Sequence, residues 1–462
     1  MFKSRKLLMF LALCSLSAPM LQAQQNPPPV TLKQLLARVD KNAPTLITDS
    51  SAIRIRQAQA AEIRNNWLPN LKLNYQADIG TSNNVTGPYF GYGIIPSSSG
   101  GIHPNNVTTS LSTNLGIASF DWEVYNFGYY GAQNRVAKSN IQVEQNNYAQ
   151  SKYTLESYTI NDYLLLMSLQ DYLNIQAQNI RRTQDILRSV SSLTKSGVRP
   201  GVDTSIANAE LSKARLNYIE LNNQFQQVQL QLAEVTGLPY QSIVADTSVA
   251  GQLINAPAAL FNTDTLHHPI INFYQSLYQN SKEQENMVKH QYNPKIFVEG
   301  AAWGRGSSVD PEGNYNSLSS GWGFQRDNYL VGVGISFNVF DLRREHLKLN
   351  TQKAESEFYR NKLEEQRALL ASGANQANAE MQTARLRLLE IPNQLRAAEE
   401  GYRQKLSLYR NGLTDIIELD AALSILYRAE TDYVQAKYAY TNALFGQAIT
   451  DNQVNTILNV LK

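Results

Sequence analysis

The chain carries the same plan twice. Val124-Tyr125-Asn126-Phe127 closes an alternating, strand-like run, and Val339-Phe340-Asp341-Leu342 closes another 215 positions later. Gly197 lies in a polar break between long helical stretches, and Gly412 lies in a second break at the same offset. Asp203 and Glu418 follow these glycines by six residues, Ala207 and Ala422 by ten. Trp67-Leu68-Pro69-Asn70 and Gln291-Tyr292-Asn293-Pro294 each end a helix and open a strand. Two copies of helix, strand, loop, strand and long helical hairpin predict an array in which each copy covers its neighbour.

Residues 1–23 read as a secretory leader, with Lys3, Arg5 and Lys6 ahead of a mostly apolar run from Leu7 to Leu21. The run is too short and wrongly flanked for a membrane-spanning helix. Cleavage is expected after Ala23, although Leu21 is a poor residue three before the cut. Leu13 stands where a lipidated Cys14 would need a small neighbour, which argues against a lipid anchor. Loss of the leader removes the only cysteine, and with it disulfide and thiol chemistry. It also leaves the acids one ahead of the bases, so no nucleic-acid partner is expected. Beyond residue 23 no apolar run is long enough to cross a bilayer as a helix, so an exported chain is periplasmic, secreted or a β-barrel.

Thr31 to Asn66 is predicted helical, with Leu32, Leu35, Leu36 and Val39 in one stripe, a split at Pro44 and a stop at Pro69. Leu71, Leu73, Tyr75, Ala77 and Ile79 then alternate with Lys72, Asn74, Gln76 and Asp78, which predicts a strand with one apolar face. Alternation resumes from Leu111 to about Trp122, after a Gly-, Ser-, Asn- and Pro-rich loop over 81–110. Gly128 to Ser196 is predicted helical, about 100 Å if continuous. A return helix runs from Asp203 to Val235. The second copy repeats this with a helix over 266–291, a strand over 295–303, a polar loop over 304–328 and a strand from Tyr329 to Val339. Long helices follow on both sides of Asn411-Gly412, with a kink or junction expected at Pro392. The domains are thus a leader over 1–23, a first repeat over 24–237, a linker or equatorial region over 238–265, a second repeat over 266–450 and a tail over 451–462.

Four strands of about ten residues with long loops at one end fit an outer-membrane barrel, apolar side chains outward and Gly, Ser, Asn and Lys inward. Four strands cannot close a barrel, which needs about eight, and open edges cannot sit in lipid. If they span a membrane, several chains share one barrel. The alternative is a soluble four-stranded sheet.

No catalytic constellation is visible, and neither a cofactor nor a metal is expected. Gly332-Val333-Gly334 lacks the third glycine and the following helix of a dinucleotide loop. His267-His268 precedes Pro269, and adjacent histidines do not share a helix face for a metal. The acids near the helix breaks have no nucleophile or histidine nearby in sequence.

The hairpin ends carry the most specific pattern: Lys195-Ser196-Gly197-Val198 with Asp203, and Tyr409-Arg410-Asn411-Gly412-Leu413-Thr414 with Glu418 and Leu419-Asp420-Ala421. Together with Leu232-Ala233-Glu234-Val235-Thr236-Gly237, the chain resembles the TolC family of outer-membrane efflux proteins from about Thr31 to Thr450. The resemblance implies a mainly α homotrimer whose duplicated long helical hairpins form a trimeric α-barrel. Four strands per protomer would build a shared 12-stranded transmembrane β-barrel in outer-membrane lipid. It further implies a passive channel of a tripartite efflux or type I secretion system, not an enzyme, meeting a periplasmic adaptor and an inner-membrane pump of RND, ABC or MFS type.

At the tips the resemblance implies adaptor contacts at Gly197, Val198, Gly412, Leu413 and Thr414. It implies a periplasmic gate at Glu418, Asp420, Asp203 and Tyr409, with Glu418 lining the entrance and Asp203 and Tyr409 latching it. Two positions depart from the family: an acid is replaced by Ala421 and an arginine by Thr414. Asp420, Asp415 or Arg410 could stand in for them. Tyr89, Phe90, Tyr92 and Trp322 could narrow the outer mouth or simply pack within their loops. The competing reading is a periplasmic helical-hairpin adaptor or scaffold, which also uses long hairpins.

Overall fold

The computed structural model describes residues 29–84, 105–254 and 267–461. The expected leader, Tyr89, Phe90 and Tyr92, and the end of the 238–265 linker lie outside these residues. The elements run α1 (Leu32–Asn42), α2 (Pro44–Arg64), β1 (Asn70–Gly80), β2 (Leu111–Tyr125), α3 (Tyr129–Lys195), α4 (Gly201–Thr236), α5 (Ser248–Ile254), α6 (Pro269–Gln291), β3 (Lys295–Ser307), β4 (Arg326–Ser336), α7 (Asp341–Arg410), α8 (Ile416–Thr450) and α9 (Val454–Leu458). The order α2-β1-β2-α3-α4 recurs as α6-β3-β4-α7-α8. None of the described helices is long and apolar enough to cross a membrane.

The chain divides into two compact units. One comprises Asp49–Ala149 and Pro269–Arg367 and holds the sheet. Its four strands lie in the order β1-β2-β3-β4, each antiparallel to the next, so β1 and β4 are both open edges. Paired residues share a face. One face therefore carries Leu71, Leu73 and Tyr75 of β1, and Ala118, Phe120 and Trp122 of β2. It continues through Ile296, Val298 and Ala302 of β3 to Tyr329, Val331, Val333 and Ile335 of β4. The other carries Lys72, Asn74, Gln76, Asp78, Ser119, Asp121 and Glu299. The apolar side chains of both edge strands are exposed.

Two strand limits differ from expectation. β3 continues past Trp303 to Ser307 because Gly304 and Arg305 still pair with Asp327 and Arg326 of β4. β4 stops at Ser336 rather than Val339, as Asn338 accepts hydrogen bonds from Asp341 and Phe340 and turns the chain into α7.

The other unit contains the described parts of Met1–Thr48, Gln150–His268 and Ala368–Lys462. Thr31 opens α1 with a capping box: its hydroxyl accepts from Gln34 N at 3.3 Å and Gln34 Oε1 accepts from Thr31 N at 3.1 Å. The stripe Leu32, Leu35, Leu36 and Val39 is buried. Three of these join Ile160, Leu164, Met167, Leu232, Leu253 and Phe445 in the larger core cluster. Tyr163 ties that cluster to the chain beside it, donating to Val30 O at 3.1 Å and accepting from Asp246 N at 3.0 Å. Burial pushes its phenol up to about 12.

The described part of the 238–265 segment is packed against the rest of this unit. Val249, Ala250 and Leu253 of α5 are buried, and Val30 bridges Ala245. Likewise the 451–462 tail contributes Ile457 and Leu458 of α9 to the core. Pro392 sits inside α7 without ending it. It is exposed, so water can satisfy the carbonyl that the missing N–H leaves free.

Candidate functional site at the hairpin tips

Both hairpins reverse by the same device. Gly197 and Gly412 adopt φ of 73° and 77°, the left-handed region in which a side chain is strained. Val198 N donates to Leu193 O at 3.0 Å and Gly197 N to Thr194 O at 3.0 Å. Leu413 N donates to Leu408 O at 2.9 Å and Gly412 N to Tyr409 O at 3.1 Å. Each is a Schellman motif, which satisfies the last carbonyls of the outgoing helix. The returning helices start differently: Pro200 caps α4 without a side-chain bond, whereas Asp415 accepts from Glu418 N at 2.8 Å and caps α8.

A second, smaller core holds the tips together. Ile186 and Val190 of α3, Ala207 of α4, Tyr402 and Tyr409 of α7, and Ile416, Leu419 and Leu423 of α8 form one buried cluster. Tyr409 and Asp203 are both buried here. The Tyr409 phenol is raised above its ordinary value of 10.0, first by burial and then by the nearby Asp203 carboxyl, with Arg199 opposing.

Arg199 completes the joint. Its guanidinium lies over the Tyr409 ring, 5.1 Å from the centroid, and Nη2 donates a short hydrogen bond to the Thr414 carbonyl. One side chain of the first tip thus grips a ring and a carbonyl of the second, by cation–π attraction and a charge-assisted bond. Arg199 is the repeat mate of Thr414, 215 positions before it. The arginine that the family pattern places at Thr414 is thus present at the equivalent position of the other repeat. Sequence reading overlooked it, although the offset alone could have found it. Asp415 and Arg410 do not make this link. Asp415 is a cap, and Arg410 ends α7.

Glu418 lies exposed on α8, turned away from the buried Leu419 and Leu423, and it is not a bare carboxylate. Lys405 Nζ and Thr414 Oγ1 both donate to its Oε2 at 2.6 Å. The Lys405 bond first, then that of Thr414, holds its pKa below the ordinary 4.5. Asp420 points elsewhere, into the seam between the hairpins, beside a narrow crevice lined by Thr183, Ile206, Glu210 and Leu423. Burial and then Glu210 raise its pKa, with Lys213 opposing. The structure therefore brings Tyr409, Asp203 and Thr414 together, joins Glu418 to Thr414, and sets Asp420 apart. At the outer rim of the tips Val198 and Leu413 are 60% and 73% exposed, with Val202 and Ile417 beside them at 59% and 67%. Nothing in this arrangement supplies a nucleophile paired with a base, and no metal-holding cluster occurs among the described residues.

The sequence model of the outer membrane efflux protein family matches residues 35–238 and 281–446. No curated protein matches the chain by sequence. Among solved structures the fold is similar to the outer-membrane channel OprN, at 18% identity and a TM-score of 0.71, covering 91% of this chain and 90% of that one. It is also similar to the Campylobacter jejuni CmeC outer membrane channel, at 14% identity and a TM-score of 0.71, covering 92% and 86%. The outer membrane protein VceC of Vibrio cholerae matches at 13% identity and a TM-score of 0.70, covering 91% and 95%. The adaptor or scaffold reading is not favoured, and family membership implies a periplasmic adaptor and an inner-membrane pump as partners. The chain belongs to the outer membrane efflux protein family: it is a passive channel of the outer membrane with a periplasmic helical part, and not an enzyme.

Proposed function

We propose that three copies of the chain close one 12-stranded barrel and that the two hairpin tips form its periplasmic gate. The carrying observation is a four-stranded sheet that is apolar on one face and open at both edges, β1 and β4. Unpaired backbone groups are untenable in hydrocarbon, and pairing β4 of one copy with β1 of the next removes every edge. Mass measurement of the detergent-extracted complex, corrected for bound detergent, tests this. A trimer released only by detergent is the expected result, and a salt-extractable monomer would sink the shared barrel.

Arg199, Tyr409, Asp203 and Thr414 form the latch of the gate in this reading, with Glu418 at its entrance and Asp420 in the supporting seam. Gly197, Val198, Gly412, Leu413 and Thr414 form the adaptor contact, widened by Val202 and Ile417. Two exposed aliphatic side chains beside a glycine reversal give each tip a shallow apolar ledge for a partner helix. The repeats over 24–237 and 266–450 supply one tip each. An RND, ABC or MFS pump would each suit such a duct.

A further inference from the structure

The segment between β3 and β4 folds back on the sheet, and residue pairing decides on which face. Tyr75, Gly116, Gly304 and Asp327 form one row across the four strands. The Phe324 ring lies where side chains of both glycines would stand, 2.7 Å from the Cβ position of Gly116 and 3.0 Å from that of Gly304. It also meets Tyr75 edge to face at 6.3 Å. Phe324 is therefore on the face of Tyr75, Leu73, Leu71 and Val331, the apolar face, and not on the face of Lys72, Asn74 and Gln76.

Further anchors hold it there. Asn114 Nδ2 donates to Trp322 O at 2.6 Å, and Ser112 Oγ makes a short bond to Leu318 O. Gln325 clasps the end of β3, N to Arg305 O at 2.9 Å and Nε2 to Ser307 O at 2.9 Å. Ser112 and Asn114 share the apolar face and are buried under this segment. Below that row the face is apolar across all four strands; above it, the middle strands turn to Ser, Asn and Gly. The apolar zone from Ile296 to Gly304 spans about 27 Å along the strand, or about 20 Å along the membrane normal at the usual tilt. That is close to the height of an outer-membrane hydrocarbon belt.

Resting on the barrel reading above, we propose that residues 318–325 form a collar on the lipid side of the barrel. The collar closes the top of the belt and sets Trp322 and Phe324 into the interface of the outer leaflet; it does not cap the channel mouth. Its carbonyls accept from Ser112 Oγ and Asn114 Nδ2 where water is scarce. Trp322 and Phe324 remain 41% and 56% exposed, and amphipathic aromatic rings favour the headgroup level. The collar lies over the two middle strands, so neighbouring copies joined at the β1 and β4 edges would leave it facing lipid.

The chain has 4 tryptophans, which permits a direct test. Three full-length variants, each retaining one of Trp322, Trp122 and Trp303 with the others changed to Phe, would be reconstituted in vesicles of dibrominated phosphatidylcholine. Trp122 lies on the apolar face and Trp303 on the other. Quenching of Trp322 and Trp122 to about half or less, with Trp303 spared, is the expected result. Quenched Trp122 with unquenched Trp322 would overturn the collar and leave the barrel standing. Unquenched Trp122 as well would overturn both. Should a triple variant fail to assemble, a nitroxide on Phe324→Cys reads the same question. Collisions with oxygen exceeding those with a water-soluble nickel chelate support the collar, and the reverse order rejects it.

Discussion

Arg199 and Thr414 meet although 215 residues separate them, and the proposed latch depends on that meeting. A cation–π contact contributes about 0.5–1 kcal/mol when exposed, and more when desolvated; a hydrogen bond from a charged group contributes about 1.5–3 kcal/mol. Removing both in Arg199→Ala should raise the open population about tenfold or more, read as increased conductance in planar bilayers. Lysine at this position loses the planar guanidinium and should not restore closure. Tyr409→Phe together with Asp203→Ala should act in the same direction, and an unaltered closed channel would argue against the latch. Lys405 governs a different property. While it holds Glu418, the carboxylate has little charge left to offer a passing cation. Lys405→Ala should therefore strengthen block by multivalent cations, and adding Glu418→Gln should abolish the gain. Because the Glu418 pKa is depressed in the folded state, its bond to Lys405 is fully present above the ordinary value of 4.5 and is lost as pH falls through the lower folded value. Protonation of Glu418 and release of Lys405 belong below that point, so cation block in wild type should fall only there, and block against pH in wild type and Glu418→Gln would show it.

At the scale of elements, paired glycines and strand alternation are local signals, which is why both reversals and all four strands could be read from the chain. Helix ends came within a few residues for the same reason. The repeat offset from Thr414 marked the position of Arg199, but what it grips exists only when one tip faces the other. The fold-back at Trp322 was equally hidden, since a Gly- and Ser-rich stretch does not say on which side of a sheet it will lie; that depends on pairing register. Pro392 lies inside α7 without ending it, as a long helix tolerates one missing hydrogen bond where solvent can replace it. The tip cluster makes an element-scale prediction. Leu419 is fully buried between the hairpins, and Leu419→Ala should cost about 2–5 kcal/mol. Protease cleavage near the tips should accelerate while the rest of the chain stays protected.

For the whole molecule, the sheet offers a parity test. Val333 and Gly332 are neighbours on β4 that point to opposite faces. An arginine facing lipid near the midplane costs about 2–4 kcal/mol, whereas one facing a wet lumen costs little. Val333→Arg should deplete the assembled complex in outer membranes, and Gly332→Arg should assemble and shift ion selectivity toward anions. Equal depletion by both would contradict the assignment of the faces. The grip of Arg199 on Tyr409 and Thr414 also bears on how such an assembly behaves, for all three residues belong to a single chain. Breaking this joint is then a private event of each subunit, since none of its three residues reaches across a subunit border. In a trimer of these chains the current would climb through discrete sub-levels, and one locked copy would throttle the flow rather than silence it.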